Sequence, residues 1–235
     1  MPRKTKPRTP GRPKRDAPDG AALLIQSARS VFAHDGFRKA TLRQIARAAG
    51  VNHALVVHRF GSKEALWKTV IEQQVAYVAP YVAELAELQG RTEIPIRTRL
   101  ETALRELAKG VFGNPEGVML FSSIGLERGE KLGFLVKQVL VPYHDALYPL
   151  LVEAEEAGAI RCQHLETLFV VVVMAVMMAV SHRNIFEYFG DGDDDGARLQ
   201  DRVTQFLVVN FMAAQNAAHG ANGGRPSSRR SKPGL

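Results

Sequence analysis

The sequence predicts an all-α fold. Apolar residues recur at helical spacing through most of residues 21–218, no two alternating runs are joined by a hairpin turn, and no internal repeat is visible. Glycines, prolines and capping residues punctuate this pattern at helix-length intervals.

In chain order, Leu24, Ile25, Ala28, Val31 and Phe32 predict a helix from Ala21 to about Gly36, a natural left-handed C-cap. Thr41 opens a second helix. With Gln44 it reads as a capping box, Leu42, Ile45, Ala46 and Ala49 supply the buried stripe, and Gly50 ends it. Asn52 is the expected N-cap of a short third helix reaching about Phe60, and Gly61-Ser62 separates it from a fourth. That fourth helix starts at Lys63 and is expected to reach the high 70s, where Pro80 kinks or ends it. Helices over Ile96–Val111, Pro115–Glu127 and Glu130–Ala157 follow, the last bent or divided by Pro142 and Pro149. Ala159 to Phe189 holds neither Gly nor Pro, so one long helix is expected, apolar almost all round in its middle and buried on several sides. A last helix runs from about Ala197 to Ala218.

Charge is distributed unevenly along the 235 residues. Residues 1–20 hold seven basic and two acidic side chains among five prolines, and residues 219–235 hold Arg225, Arg229, Arg230 and Lys232 with no acid. The chain carries +7 in total, so the body between these arms is close to neutral. Two basic, disordered arms on such a body suggest a polyanionic partner, although basic tails also serve solubility. A single cysteine, Cys162, excludes an intramolecular disulfide and suggests a reducing compartment. No signal peptide is recognisable, and the longest apolar run, Leu168–Val180, has 13 residues, too few to span a bilayer. A cytoplasmic protein associated with the nucleoid and without a membrane partner is expected.

The informative segment is Thr41 to Lys63, TLRQIARAAGVNHALVVHRFGSK. Two short helices joined by a tight Ala-Gly-Val turn, with small residues where they cross, form a helix-turn-helix. The second of them can lie in a DNA major groove, its N-terminal residues against base edges. Val51, Val56 and Phe60 are expected in the core, leaving Asn52, His53, Ala54, Leu55, Val57, His58 and Arg59 to face the groove. An αα-hairpin that only packs would share the same spacing.

Phe32–Phe37 (FAHDGF), Thr41–Val51 (TLRQIARAAGV) and Phe60–Leu66 (FGSKEAL) together resemble the tetracycline-repressor (TetR) family signature in order and distance. The resemblance covers about the first 50 ordered residues and implies a DNA-binding regulator, by the family's default a repressor. It implies phosphate contacts from Thr41, Arg43, Arg59 and Lys63, and base reading from Asn52, His53, Ala54 and Leu55. Where the family usually has an aromatic residue this chain has Val57, which replaces a phosphate hydrogen bond by at most an apolar contact with a thymine methyl.

Gly11-Arg12-Pro13 resembles an AT-hook core, which would place Arg12 in a narrow A·T minor groove; a generic basic tail would touch phosphates only. Asp191–Gly196 fits the first half of an EF-hand loop, but its twelfth position is Arg202, which cannot ligate calcium, so a solvated acidic turn is expected. No catalytic or cofactor motif is found, and neither an enzyme nor a cofactor is expected. Met119, Phe121, Phe134, Tyr143, Tyr148, Phe169, Met174, Met177 and Met178 are candidate walls of an effector cavity, against the alternative of ordinary core packing. The expected organisation is a basic arm (1–20), a three-helix helix-turn-helix DNA-binding domain (21–67), a helical ligand-binding and dimerisation domain (68–218) and a basic tail (219–235). Operator DNA, a second copy of the chain and a small apolar or amphipathic effector are the expected partners. A nucleoid-like architectural protein without an effector is the alternative.

Overall fold

A computed structural model describes residues 20–125, 129–189 and 196–212, and every regular element among them is helical. The arm with Arg12, the acidic segment 191–195 and the tail lie outside the described residues.

The head consists of α1 (Gly20–Lys39), α2 (Leu42–Ala48) and α3 (His53–Phe60). Gly36 interrupts α1 with φ 73° and ψ 160°, a conformation that penalises a side chain, and thereby turns Phe37 back into the core. The body holds α4 (Lys63–Gly90), α5 (Ile96–Phe112), α6 (Pro115–Gly125), α7 (Glu130–Leu135), a π-helical turn (Val136–Leu140), α8 (Val141–Glu156), α9 (Leu165–Ser181), α10 (Arg183–Phe189) and α11 (Gly196–Met212). The boundary expected at residues 67–68 falls inside α4.

The 130–157 stretch is divided before Pro142, as expected, whereas Pro80 and Pro149 lie inside helices. Pro80 does not end α4, which continues to Gly90 with Val78, Leu85 and Leu88 buried, so tertiary burial outweighs the lost backbone hydrogen bond. Pro142 is preceded by the π turn, which widens the ladder so that the missing N–H and the ring fit at the first turn of α8. Pro149 sits within α8, and the Asp145 carbonyl four residues earlier instead accepts from Gln89 Nε2 of α4 at 3.2 Å, with the Ala146 carbonyl at 2.8 Å. The expected single helix over 159–189 is also divided. Residues 159–164 are not helical, and α9 and α10 meet at 78° around His182. There Ser181 Oγ donates to the Met177 carbonyl (3.0 Å) and contacts His182 Nδ1 (2.8 Å), side-chain bonding that competes with the backbone ladder. Among the described residues no single helix is long and apolar enough to cross a membrane.

Two apolar cores result. The larger one joins α4, α5, α8 and α9 around residues such as Leu85, Leu104, Leu147 and Val176. The other fills the head with Leu24, Phe32, Ile45, Val56, Leu66 and Ile71, but also takes Leu120 and Ile124 from α6 and Leu135 from α7. At the far end of the body Arg99 is almost fully buried. Its guanidinium pairs with both carboxylate oxygens of Glu153 on α8, and its Nε donates to the Ile94 carbonyl at 2.9 Å. Glu153 is half-exposed and can rehydrate, whereas the Arg99 charge cannot. Glu153→Ala is therefore expected to lower unfolding stability by about 3 kcal/mol, and Arg99→Met by less, because only the former strands a buried charge. Urea titration of both variants checks the order.

Candidate functional site

The helix-turn-helix is built from caps. Thr41 Oγ1 accepts from the Gln44 N–H (3.2 Å) while Gln44 Oε1 accepts from the Thr41 N–H (2.9 Å), the reciprocal box expected for these residues. At the other end of α2 the Val51 N–H reaches the Ala46 carbonyl (2.9 Å) and the Gly50 N–H the Arg47 carbonyl (3.1 Å). This is a Schellman closure, and it requires the positive φ of 67° that Gly50 adopts. Asn52 Oδ1 then accepts from the Ala54 N–H (2.9 Å), so this side chain caps α3 with its oxygen and keeps its amide protons at the surface.

The turn presents one face of α3 outward. Val56 is fully buried and Val51 and Phe60 are half-buried, while Asn52, His53, Ala54, Leu55, Val57, His58 and Arg59 are exposed. Leu55 and Val57, 43% and 40% exposed, are apolar side chains at the surface of a helix only two turns long. Thr41 and Arg43 are exposed at the start of α2. Arg38, Lys39 and Arg47 add exposed cations on α1 and α2; their place in the fold, rather than any motif, brings them to attention.

Lys63, of which a phosphate contact is expected, is turned towards backbone carbonyls. Its Nζ donates to the carbonyls of Phe37 (2.9 Å), Ala40 (2.9 Å) and Arg38 (3.4 Å) and lies 4.4 Å from the centre of the Phe37 ring. All three ammonium protons thus serve the carbonyls at the end of α1, where a cation is also favoured by the helix dipole.

Within the body, a narrow cavity of about 60 Å³ lies among α4, α5, α6, α8, α9 and the π turn. Of the nine candidate wall residues Phe121, Tyr143 and Met177 line it, and Met178 is exposed. Met119 packs against the head core, and Phe134 lies against the Trp67 ring at 5.6 Å. Tyr148 stacks on His144 and donates to Glu166 (2.7 Å), Phe169 meets the same His144 edge-on, and Met174 packs beside the body core. Residue type selected these side chains, but in a close-packed interior aromatic and Met side chains mostly fill space. The sequence reading missed Gln74, Gly110, Asn114, Gly117 and Val139. The nearest signal to these was Asn114-Pro115, an N-cap dipeptide flanked by glycines.

The polar lining is small and internally ordered. The Gly117 N–H donates to Asn114 Oδ1 (3.1 Å), and Asn114 Nδ2 donates to Gln74 Oε1 (2.6 Å). Gln74 Nε2 and the Tyr143 hydroxyl are buried with no partner in the protein. Burial, and then the nearby Tyr77 and Tyr81, hold the Tyr143 hydroxyl protonated far above neutral pH. Burial and a hydrogen bond with Tyr81 push Tyr77 up to about 12. Among the described residues no group of acidic, His or Cys side chains is placed to hold a metal ion.

Residues 24–70, the head and the first turns of α4, match the profile of bacterial regulatory proteins of the tetR family. The head is therefore similar to the DNA-binding domain of that family. The chain is 31% identical over 96 residues to the HTH-type transcriptional repressor AcnR of Corynebacterium efficiens, a match covering 40% of this chain and 51% of that protein. It is also 31% identical over 106 residues to the repressor BdcR of Escherichia coli, covering 45% and 50%. The chain thus spans about half the length of the curated relatives it matches. Solved structures share the fold across both domains. The fatty acid degradation regulator FadR from Bacillus halodurans aligns with a TM-score of 0.58 at 19% identity, over 84% of this chain and 98% of that one. A FadR from Bacillus subtilis in complex with stearoyl-CoA aligns at 0.56 and 16%, over 81% and 98%.

In this TetR-type head Lys63 joins α1 to α4. Lys63→Met is expected to lower stability by about 2 kcal/mol, the scale of hydrogen bonds to a charged donor. Thermal and urea unfolding of the variant check it.

Proposed function

We propose that this chain is a dimeric transcriptional repressor that leaves its operator when a small molecule occupies the body cavity. The observation that carries the DNA-binding part is the α3 face, which leaves Leu55 and Val57 at the surface between exposed His53, His58 and Arg59. A helix that only packed would bury such apolar side chains, whereas a groove-reading helix uses them against thymine methyls. In this reading His53, Ala54, Leu55 and Val57 face bases. Thr41, Arg43 and Arg59 hold phosphates, and Arg12 reaches a minor groove.

Binding to the DNA upstream of its own gene, titrated at several salt concentrations, tests the assignment. Arg59→Ala is expected to weaken operator and random DNA alike and to reduce the salt slope by about 1. His53→Ala should change preference at one or two base pairs, and Lys63→Met should leave the slope unchanged. Identical slopes for Arg59→Ala and wild type would remove the phosphate role.

The dimer rests on a second exposed face. Val170, Val171 and Met178 on α9, Ile185 on α10, and Phe206 (62% exposed) and Val209 on α11 are large apolar side chains left at the surface of one protomer. A patch of this kind on a soluble chain marks an interface, and a palindromic operator requires two recognition helices at fixed spacing. Phe206→Glu is expected to give monomers and to abolish operator binding. Light scattering and gel shift read both, and a wild-type monomer that binds operator would overturn the dimer.

Coupling between cavity and head is supported by α6. Its Gly117, Leu120 and Phe121 line the cavity, while Leu120 and Ile124 enter the head core and Glu116 pairs with Arg29 of α1 at 2.6 Å. Displacing α6 therefore disturbs the packing of α1, on which the α2–α3 unit sits.

A further inference from the structure

The inner cavity is chemically lopsided. Its walls include Val78, Leu107, Leu120, Phe121, Leu135 and Val139, all apolar, and no lining residue is charged. Its polar features are Gln74, Asn114 and the Tyr143 hydroxyl, and hydrogen bonding determines which atoms remain for a ligand.

The orientation of the amides follows from a backbone group whose role is not in doubt. The Gly117 N–H can only donate, so the Asn114 atom it meets is the oxygen and the Asn114 amide nitrogen faces Gln74. Gln74 therefore presents its oxygen to Asn114, and its NH2 group is the one left over. A Cβ at residue 117 would collide with Gln74 Oε1 and Asn114, so glycine there is what admits this relay. At the same cavity a Cβ at Gly110 would lie 2.9 Å from the Tyr81 ring and 3.1 Å from the Tyr143 hydroxyl. Both unpartnered groups, Gln74 Nε2 and the Tyr143 O–H, belong to side chains only 4% exposed. The phenol stays protonated at any physiological pH, so both act as donors.

We propose that this cavity binds an uncharged apolar molecule bearing a carbonyl-type oxygen that accepts from Gln74 and Tyr143. The inference deepens the effector-gated reading above and rests on it. Two neutral donors complement an acceptor. A carboxylate or phosphate would be buried among apolar walls with no cation, a desolvation cost that two neutral hydrogen bonds do not offset. A multiply charged acyl-CoA, such as the stearoyl-CoA in the Bacillus subtilis FadR complex, does not match a lining without a cation. Water can satisfy the two donors in the free protein. The rest of the cavity lacks the polar partners that buried water needs and is better filled by hydrocarbon. Val139 and Leu140, in the lining, belong to the π turn, a local irregularity of the kind that helices keep at ligand sites.

The test compares 2-octanone with octanoate, equal in chain length and different in charge, by calorimetry on the full chain without DNA. The ketone is expected to bind roughly tenfold or more tightly than the anion. Tyr143→Phe should weaken the ketone about fivefold, the effect of one net hydrogen bond, while leaving the melting temperature equal or higher, since an orphaned buried donor is removed. Gln74→Leu should weaken it similarly, with some loss of stability because Asn114 loses its acceptor. Octanoate binding as tightly as the ketone, no ketone binding, or unchanged ketone affinity in Tyr143→Phe would each overturn the proposal. Operator release is read separately on the same complexes. Ketone binding that leaves DNA affinity intact would count against effector gating and not against the cavity's chemistry.

Discussion

The head is too small to close its own core, and much of the structure depends on that constraint. Units of this size bury a modest share of their apolar surface and are marginal alone. Here Leu120 and Ile124 from α6 and Leu135 from α7 complete the cluster around Phe32, Ile45 and Leu66. Phe37 is covered by Lys63 of α4 on one side and by Lys131 of α7, 4.0 Å from its ring centre, on another. A head that shares its core with the body cannot be indifferent to the body's packing. The contact needed for folding is thus the same contact through which an internal cavity can act on α1.

Legibility in the sequence followed the range of the interaction. The capping box at Thr41, the Asn52 cap and the left-handed glycines at 36, 50 and 61 are encoded within four residues of each other, and each was readable from the residues alone. The exposed face of α3 follows from the same local signals, because Val51, Val56 and Phe60 fix which side turns inward. Pro80, Pro149 and the break at His182 are different. Whether a proline ends a helix depends on what buries the following turn and on what reaches the freed carbonyl, as Gln89 does across 56 residues of sequence. A run free of glycine and proline still broke, at a point where the Ser181 hydroxyl bonds both the Met177 carbonyl and the His182 ring.

The cavity was the least readable feature, for a related reason. A cavity forms where side chains fail to meet, and that is a property of several helices together. Large residues such as Phe134 and Phe169 were drawn into packing, whereas glycines at 110 and 117 and a glutamine on α4 shape the cavity. Lys63 illustrates the converse. The motif singled it out for a phosphate contact, whereas its ammonium sits on the carbonyls that join α1 to α4.

The two orphaned donors also bear on how ligand binding would move the protein. A ligand oxygen replaces water on these donors, so the net gain comes from hydrocarbon filling the apolar walls. Affinity alone shifts nothing; the ligand must favour one arrangement of the helices over another. Gln74 and Gly117 give that preference a physical route, because the amide relay spans α4, the α5–α6 turn and α6. A molecule larger than the free space that also engages Gln74 would press on Leu120 and Phe121 while its oxygen holds α4 in place. The strain would then fall on α6, which carries the Glu116–Arg29 pair and the Leu120 and Ile124 side chains of the head core. In the proposed dimer, relief by displacement of α6 would loosen α1 in each subunit, and a palindromic site would be read by two such heads at once. Small angular changes would therefore act on both half-sites together.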